Sequence, residues 1–409
     1  MLKWLLFDLN SFFASCEQQE DPSLRGKPVA VVPMLTDSTS VIAASIQAKI
    51  FGIKTGTRVG DAKKMCPGLI LRSGNHRIYT QYHHKILAAV EEILPIKKVL
   101  SIDEVACELI GRERILENAT VIAQRMKDHV RKVVGSEIKS SVGIGPNILI
   151  AKMASDMQKP DGLIIIPKDL IRTKMGHLPI EAIPGVGRQM KIKLNAKGYK
   201  IVSDLMNVPE HELRKHWGSI WGLRVAKELQ GEDMMFRESS PQNSFSHEHV
   251  LPPEYRTLEK SFQIMIKLLL KAATRARREK LKAGGLGMSI RFTDRSRFEN
   301  EISFLETDDT QFFMAQLRKL WQPLFASAAQ ERPMKVGIVL TDLTDGPDQL
   351  SFFDSPKAAQ RNEAMDIIND RFGANTLFIA STKEVLNTAK TRISFSHVPS
   401  LNDEFDAGD

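Results

Sequence analysis

Cysteine is scarce in this chain. Cys16, Cys66 and Cys107 are the only ones in 409 residues, and none stands in a metal-finger or catalytic spacing. That excludes a disulfide-built scaffold and a zinc ribbon, and it matches a reduced intracellular compartment. Long apolar runs are missing as well: Met1 to Phe7 is too short for a signal peptide, and no stretch reaches membrane-spanning length. A cytoplasmic chain with no membrane partner is expected. No solenoid-like repeat is visible. Acidic charge is in deficit, with 57 Lys and Arg against 49 Asp and Glu, a net charge of +8. Such a balance favours a polyanionic partner without establishing one.

What is present suffices for several domains. A chain of 409 residues exceeds one hydrophobic core, and 42% hydrophobic content supplies real ones. The centre of interest is Lys97 to Ile110, where apolar residues alternate into the pair Asp103-Glu104 and resume after it. Two strands joined by a tight turn write that pattern. Both acids then sit near the turn, whereas in mid-strand neighbouring side chains point to opposite faces. Asp8 ends the short apolar strand Leu5-Leu6-Phe7, so three carboxylates at strand ends have a place to meet. A cluster of this kind repels itself unless solvated, partly protonated or neutralised by a cation. Oxygen ligands with no His or Cys beside them suit magnesium or manganese rather than zinc. Solvated turn acids with no ligand are the competing reading.

Taken in order, the chain alternates strand and helix over its first 166 residues, as an α/β or α+β domain on one sheet does. Asn10-Ser11 before Phe12-Phe13 suits a helix start, and two adjacent helical aromatics need different environments. Ile46 to Ile53 reads as a short helix closed by Gly52, Ile78 to Leu94 and Glu117 to Val134 as longer ones, and Asn147 to Met157 as another. Lys159, just before Pro160, is placed to hold a phosphate or to be an ordinary solvated helix-end lysine. Ile183-Pro184-Gly185-Val186-Gly187 between helices reads as the hairpin of a helix-hairpin-helix unit. There Gly185, Val186 and Gly187 present backbone N–H groups to phosphates. A polar, proline-bearing connector, 234–257, marks a domain boundary. Beyond it Leu258 to Lys282 is a basic helix, with Arg275 and Arg278 among its cations, in a small α+β domain whose basic side suits a DNA backbone. Gln349-Leu350-Ser351-Phe352-Phe353 follows in a loop-like context, where aromatics need either the chain or a partner to dock on.

Together these pieces resemble the Y family of translesion DNA polymerases. The resemblance rests on Phe7 to Phe13, Gly26 to Val31, Ala48 to Ile53, Ser101 to Glu104, Ser141 to Ile144, Lys152 to Gly162 and Ile183 to Gly187, in the family's order over roughly the first 230 residues. It implies a multidomain α/β and α+β fold: a palm over 1–10 and 77–166, fingers over 11–76 and a helical thumb over 167–233. A linker over 234–257, a little finger over 258–345 and a clamp-binding peptide with C-terminal extension over 346–409 complete it.

The resemblance also implies roles. Asp8, Asp103 and Glu104, with the Leu9 carbonyl, would hold two magnesium ions about 3.5–4 Å apart, manganese being an alternative. Phe12, Phe13, Lys49 and Lys159 would surround the deoxynucleoside triphosphate, with Phe13 as the steric gate against a ribose hydroxyl. Ser40 and Gly56 would leave room at the roof over the template base. Primer-template DNA, the sliding clamp on Gln349 to Phe353, and an accessory subunit are the implied partners. Two positions depart from the commoner family pattern of Tyr and Arg: Ile46 cannot donate a hydrogen bond, and Lys49 keeps the charge without the bidentate fork. A weaker hold on the triphosphate follows. Error-prone synthesis past damaged bases is the main reading. The alternatives are a catalytically weak or inactive adaptor linking the clamp to another polymerase, and a two-metal nuclease, which leaves Phe13 and Lys159 without a role.

Overall fold

The computed structural model describes residues 1–234, 243–326, 332–345 and 356–389. They divide into two compact units, one carried by residues up to 234 and one by residues from 243 onward. The peptide Gln349 to Phe353 lies outside the described residues.

The first unit is organised on a five-stranded sheet with β1 (Trp4–Leu9) at its centre. Its neighbours are β6 (Glu104–Glu108) and β7 (Ser140–Gly145), with β5 (Ile96–Val99) and β8 (Leu163–Ile165) at the edges. Every residue of β1 is buried, as a strand covered on both faces requires. Alternation then sorts its side chains. Leu5 and Phe7 join the core that takes in α1 (Phe12–Glu20) through Phe12 and Cys16, α4 (His76–Glu91) through Ile86, and α5 (Leu116–Val133) through Met126. Trp4 and Leu6 face α6 (Ile148–Met157) through Ile148 and Ala151. Asp8 continues the second set, and Glu104 is its partner across the ladder.

Helix α6 lies unusually close to the sheet. A Cβ at Gly143 would stand 1.9 Å from the Ala151 carbonyl oxygen and 2.5 Å from the Ser155 nitrogen, so only glycine permits this approach. Asn147 starts the helix by accepting from the Ile150 N–H at 2.9 Å, and its amide donates to the carbonyls of Glu228 and Glu232 at 2.7 and 2.8 Å. Those two residues belong to the end of the helical thumb.

The fingers carry a small sheet, β2 (Val29–Val32) between β3 (Ala43–Ala44) and β4 (Ile70–Ser73), with α2 (Ile46–Ile50) and α3 (Val59–Met65). Val32, Val41, Ala48, Ile53 and Val59 form its core. The thumb packs α7 (Ile171–Met175), α8 (Arg188–Asn195), α9 (Val202–Met206), α10 (Glu210–Trp217) and α11 (Ile220–Leu229) around Leu194, Leu205, Leu213 and Val225.

The second unit is a four-stranded antiparallel sheet in the order β11 (Arg297–Thr307), β10 (Lys282–Phe292), β12 (Pro333–Thr344), β9 (Ser244–Val250). One face is covered by α12 (Leu258–Arg278) and α13 (Thr310–Ala326) over Leu286, Ile290, Ile338, Leu340 and Trp321. The connector expected over 234–257 needs correction, because residues 244–250 within it are β9. Its only fully buried apolar side chain is Phe245, and the polar residues around it hid the strand.

A second correction concerns the basic helix. Helix α14 (Pro356–Phe372) and a short 3₁₀ turn, Ala380–Val385, pack along α12 and engage its cations. Arg277 donates to both oxygens of Asp366 at 2.6 and 2.9 Å, and Arg278 meets Asp370 at 2.5 Å. Lys267 donates to the carbonyls of Leu386 and Thr388, and Lys271 to that of Ala389 at 2.6 Å. Arg275 lies over the Phe245 ring at 4.7 Å and pairs with Glu279. Arg275 and Arg278, expected along a DNA backbone, are thus already engaged by groups of their own unit.

Gly143→Ala is expected to destabilise the protein by about 3 kcal/mol or more, because the clash is with backbone that cannot rotate away. Gly187→Ala, whose Cβ would meet nothing within 4 Å but which caps α8, is expected to cost no more than about 1 kcal/mol. Urea unfolding of the full chain compares the two.

Candidate active site

Register brings the acids together. Asp8 is 2% exposed and stands opposite Glu104, the first residue of β6. The Leu100 and Ser101 N–H groups both donate to the Glu104 carbonyl, at 2.9 and 3.2 Å, which closes the turn before that strand. Asp103 therefore lies in the turn, its carbonyl accepting from the Leu9 N–H at 2.9 Å and its carboxylate from the Ser101 hydroxyl at 2.6 Å.

As the side chains stand, no three His, Cys, Asp or Glu among the described residues are gathered to hold one ion. Ammonium groups occupy the acids instead. Lys152, on α6, donates to Asp8 Oδ2 at 2.6 Å and also to Glu104. Lys159 donates to Asp8 Oδ1 at 2.8 Å and pairs with Asp156 at 2.7 Å. Burial lifts the carboxyls of Asp103 and Glu104 above their ordinary range, the neighbouring acids adding to it and Lys152 opposing it. Burial works against the Lys152 charge too, but Asp8, Glu104 and Asp156 outweigh it and hold that ammonium well above the usual lysine range. An all-oxygen donor set under this electrostatic pressure, already balanced by cations, fits magnesium or manganese.

The loop carrying Lys159 is braced from behind. Asp161, in a left-handed conformation with φ 62°, gives its N–H to Asn10 Oδ1 at 2.8 Å and takes both carboxylate bonds from Arg131 at 3.0 and 2.9 Å. Lys127 donates to the Asp161 and Gly162 carbonyls at 2.5 and 3.1 Å. Nothing in the sequence reading pointed to this brace.

A cavity of about 400 Å³ opens over the acids. Asp8, Leu9, Phe12, Phe13, Lys49, Asp103, Glu104 and Lys159 all line it, together with Ser11, Ile42, Thr55 and His76. Phe12 is sunk in the core, whereas the Phe13 ring is half-buried and lies stacked on Tyr79, centroids 4.4 Å apart. The Ser11 hydroxyl oxygen is buried without a hydrogen-bond partner among the described residues. Burial and then Lys159 draw the Lys49 ammonium below the ordinary lysine range, while Asp8 and Asp103 pull the other way.

Three expected residues fall elsewhere or change character. Ser40 and Gly56 lie beside Ile42 and Thr55, which form the wall in their place; Ser40 bridges to Arg58, and the Gly56 N–H donates to Val41. In the thumb hairpin Val186 is buried and its N–H already donates to the Ile183 carbonyl at 3.0 Å, so it offers nothing to a phosphate. Gly185, at φ 88°, lies against Trp221, and Gly187 opens α8. Lys152 is the site residue that sequence reasoning overlooked, since nothing local to α6 shows that Asp8 and Glu104 lie within its reach.

The sequence profile of the impB/mucB/samB family matches residues 7–156, that of its C-terminal domain residues 242–352, and a DNA polymerase-iota thumb profile residues 181–233. A DNA polymerase IV from Moorella thermoacetica is 35% identical over 290 residues, covering 70% of this chain and 71% of its own. The chain belongs to the Y family of DNA polymerases. A DNA polymerase IV from Pelotomaculum thermopropionicum is 29% identical over 92% of this chain and 94% of its own. Among solved structures, a Y-family polymerase chimera of Dbh and Dpo4 superposes with a TM-score of 0.71 at 22% identity, over 84% of this chain and all of that one. DinB from Sulfolobus solfataricus gives 0.54 at 23% identity, over 83% and 98%. These show the family fold of palm, fingers, thumb and little finger. Among the described residues no helix is long and apolar enough to cross a membrane.

Lys152→Met is expected to tighten manganese binding by about tenfold or more, since a competing charge leaves the acids. The metal-free protein should melt at a lower temperature and gain more from added ions than the parent. Calorimetric titration and thermal melting, neither of which depends on turnover, read both effects.

Proposed function

We propose that this chain carries out template-directed, error-prone DNA synthesis past damaged bases, with Asp8, Asp103 and Glu104 as the catalytic acids. One observation carries the reading: the three acids, Phe13, Lys49 and Lys159 line a single cavity over the end of β1. A nuclease would leave Phe13 and Lys159 idle. An adaptor would have no need of a buried acid cluster held under this much repulsion.

Asp8, Asp103, Glu104 and the Leu9 carbonyl are the groups that would hold two divalent ions. When bound, these supply the positive charge that lowers the pKa of the primer 3′-hydroxyl and neutralises the leaving pyrophosphate. Lys159, released from Asp8, is within reach of the triphosphate as a point charge, and Lys49 adds a second. The orphaned Ser11 hydroxyl gains a partner in the same triphosphate. Phe13 supports the sugar and leaves no space for a 2′-hydroxyl, the Tyr79 ring behind it closing off retreat. Ser40 and Gly56 act one step behind the wall, where Gly56, with no atom within 4 Å of a built Cβ, leaves the roof loose over a distorted template base.

DNA is gripped outside the cavity. Gly185 and Gly187 remain as the thumb's phosphate-binding positions. In the second unit the sheet face away from α12 and α13 forms a groove of about 750 Å³ with Gly287, Ser289 and Gly337 along its floor. Small residues there let a phosphate backbone come close, while Glu248, Glu299 and Glu301 along the same groove oppose it, two of them offset by Lys335 and Arg297. Gln349 to Phe353 recruits the enzyme to the sliding clamp by peptide docking, and an accessory subunit remains a further partner.

Primer extension with magnesium tests the chemistry. Asp103→Ala and Glu104→Ala are each expected to lower single-turnover incorporation by at least about a thousandfold while primer-template affinity stays within about threefold. Undiminished extension by either variant would sink the assignment. For the clamp, replacing Gln349, Leu350 and Phe353 by alanine should abolish stimulation by added clamp and leave clamp-free synthesis as it was.

A further inference from the structure

The Phe13 ring does not stand alone, and the Tyr79 ring behind it is anchored by two residues, Glu17 and Arg72, that the reading so far leaves unused. Tyr79, on α4, is fully buried and lies face to face with Phe13 at 4.4 Å and 14°. Its hydroxyl donates to Glu17 Oε1 at 2.6 Å. Glu17 is itself only 5% exposed, and its other oxygen accepts from Arg72 Nε of β4 at 3.2 Å. A carboxylate buried this deeply persists only where its oxygens are satisfied, and here the satisfying groups come from two other elements.

Glu17 follows Phe13 by four residues on α1, so both side chains project from one face of that helix. Tyr79 spans the two, ring against one and hydroxyl on the other. That is a bracket: the ring plane behind Phe13 is set at one end by the stack and at the other by a short charge-assisted hydrogen bond. Burial and the Glu17 charge both push the Tyr79 phenol up, which keeps its proton on and its hydroxyl a donor. His76 meets Phe13 edge-on at 6.4 Å, closing a second side.

We infer that Glu17 is a positioning residue for sugar discrimination, acting through the Tyr79 hydroxyl to hold the Phe13 ring where a ribose 2′-hydroxyl would collide with it. The inference rests on the reading of Phe13 as the steric gate. A gate excludes by what it refuses to yield, so the stiffness of its backing decides how much of the clash an incoming ribonucleotide feels.

Single-turnover incorporation of a deoxynucleotide and its matching ribonucleotide by the full chain tests this, read as the ratio of the two efficiencies. Tyr79→Phe keeps the stack and loses the hydroxyl bond, and Glu17→Ala removes the anchor. Each is expected to lower the ratio by roughly three- to tenfold. Glu17→Gln, whose amide oxygen still accepts from the phenol, should stay within about twofold. Phe13→Val should collapse the ratio, and adding Tyr79→Phe to it should change nothing more. If Phe13→Val collapses the ratio while a folded Tyr79→Phe keeps it whole, the bracket is wrong and the gate stands. If Phe13→Val itself keeps the ratio, the gate reading fails and takes this inference with it.

Discussion

The repulsion among three carboxylates at one end of a buried sheet is the constraint on which the structure turns. Asp8 is on a strand with no exposed residue and meets solvent only through the cavity it lines, so water screens it little, and an ionised carboxylate in that position requires positive charge within a few ångströms. Both of its oxygens have it, from Lys152 and Lys159. Removing one partner of such a group leaves an uncompensated charge, a larger penalty than the pair's own net stabilisation. The site is therefore either loaded with lysine ammonium or loaded with something else of the same sign. The affinity it would have for a divalent ion is then a difference between two occupied states.

That competition is staged by one helix. The glycine at 143 lets α6 settle against β7, which sets the height of Lys152 over Asp8 and Glu104. The first turn of the same helix is tied through Asn147 to the end of the thumb. Its far end runs into the loop that Lys127 and Arg131 fasten through Asp161. Backbone packing, thumb attachment and both counter-cations thus converge on α6.

How much of this the sequence discloses depends on the range of the interaction. Asp103 and Glu104 were legible at their turn because apolar alternation on either side is a local signal, and Asp8 because it ends a run of buried residues. Phe12 and Phe13 were separable in kind, since neighbours on a helix face apart. Lys152 was not legible as a site residue: on α6 it reads as one polar position among apolar ones, and only the ladder register, which places Asp8 opposite Glu104, shows what lies beneath it. The bond from Tyr79 to Glu17 joins residues 62 apart in sequence and leaves no local trace. Strand β9 escaped because its Ser, His and Glu residues look like a connector once Phe245 is taken singly.

The basic helix shows why composition misleads about where DNA lies. Net charge counts cations, not free cations, and along α12 the two diverge. Lys267 is only 3% exposed and is satisfied by carbonyls at the end of the described chain, and Arg277 is a bidentate partner of Asp366. A guanidinium held in a fork by a carboxylate has its donors already directed, and a phosphate would have to displace the acid before binding. Val385 and Ala389 fix the last described residues, whose carbonyls take Lys267 and Lys271, by entering the core of the unit. The cations that make the sequence look like a DNA-binding one are, in this helix, mostly the means by which its C-terminal extension is attached. A surface meant for a nucleic-acid backbone must be sought where cations are not already held by carboxylates and where small side chains let phosphates approach.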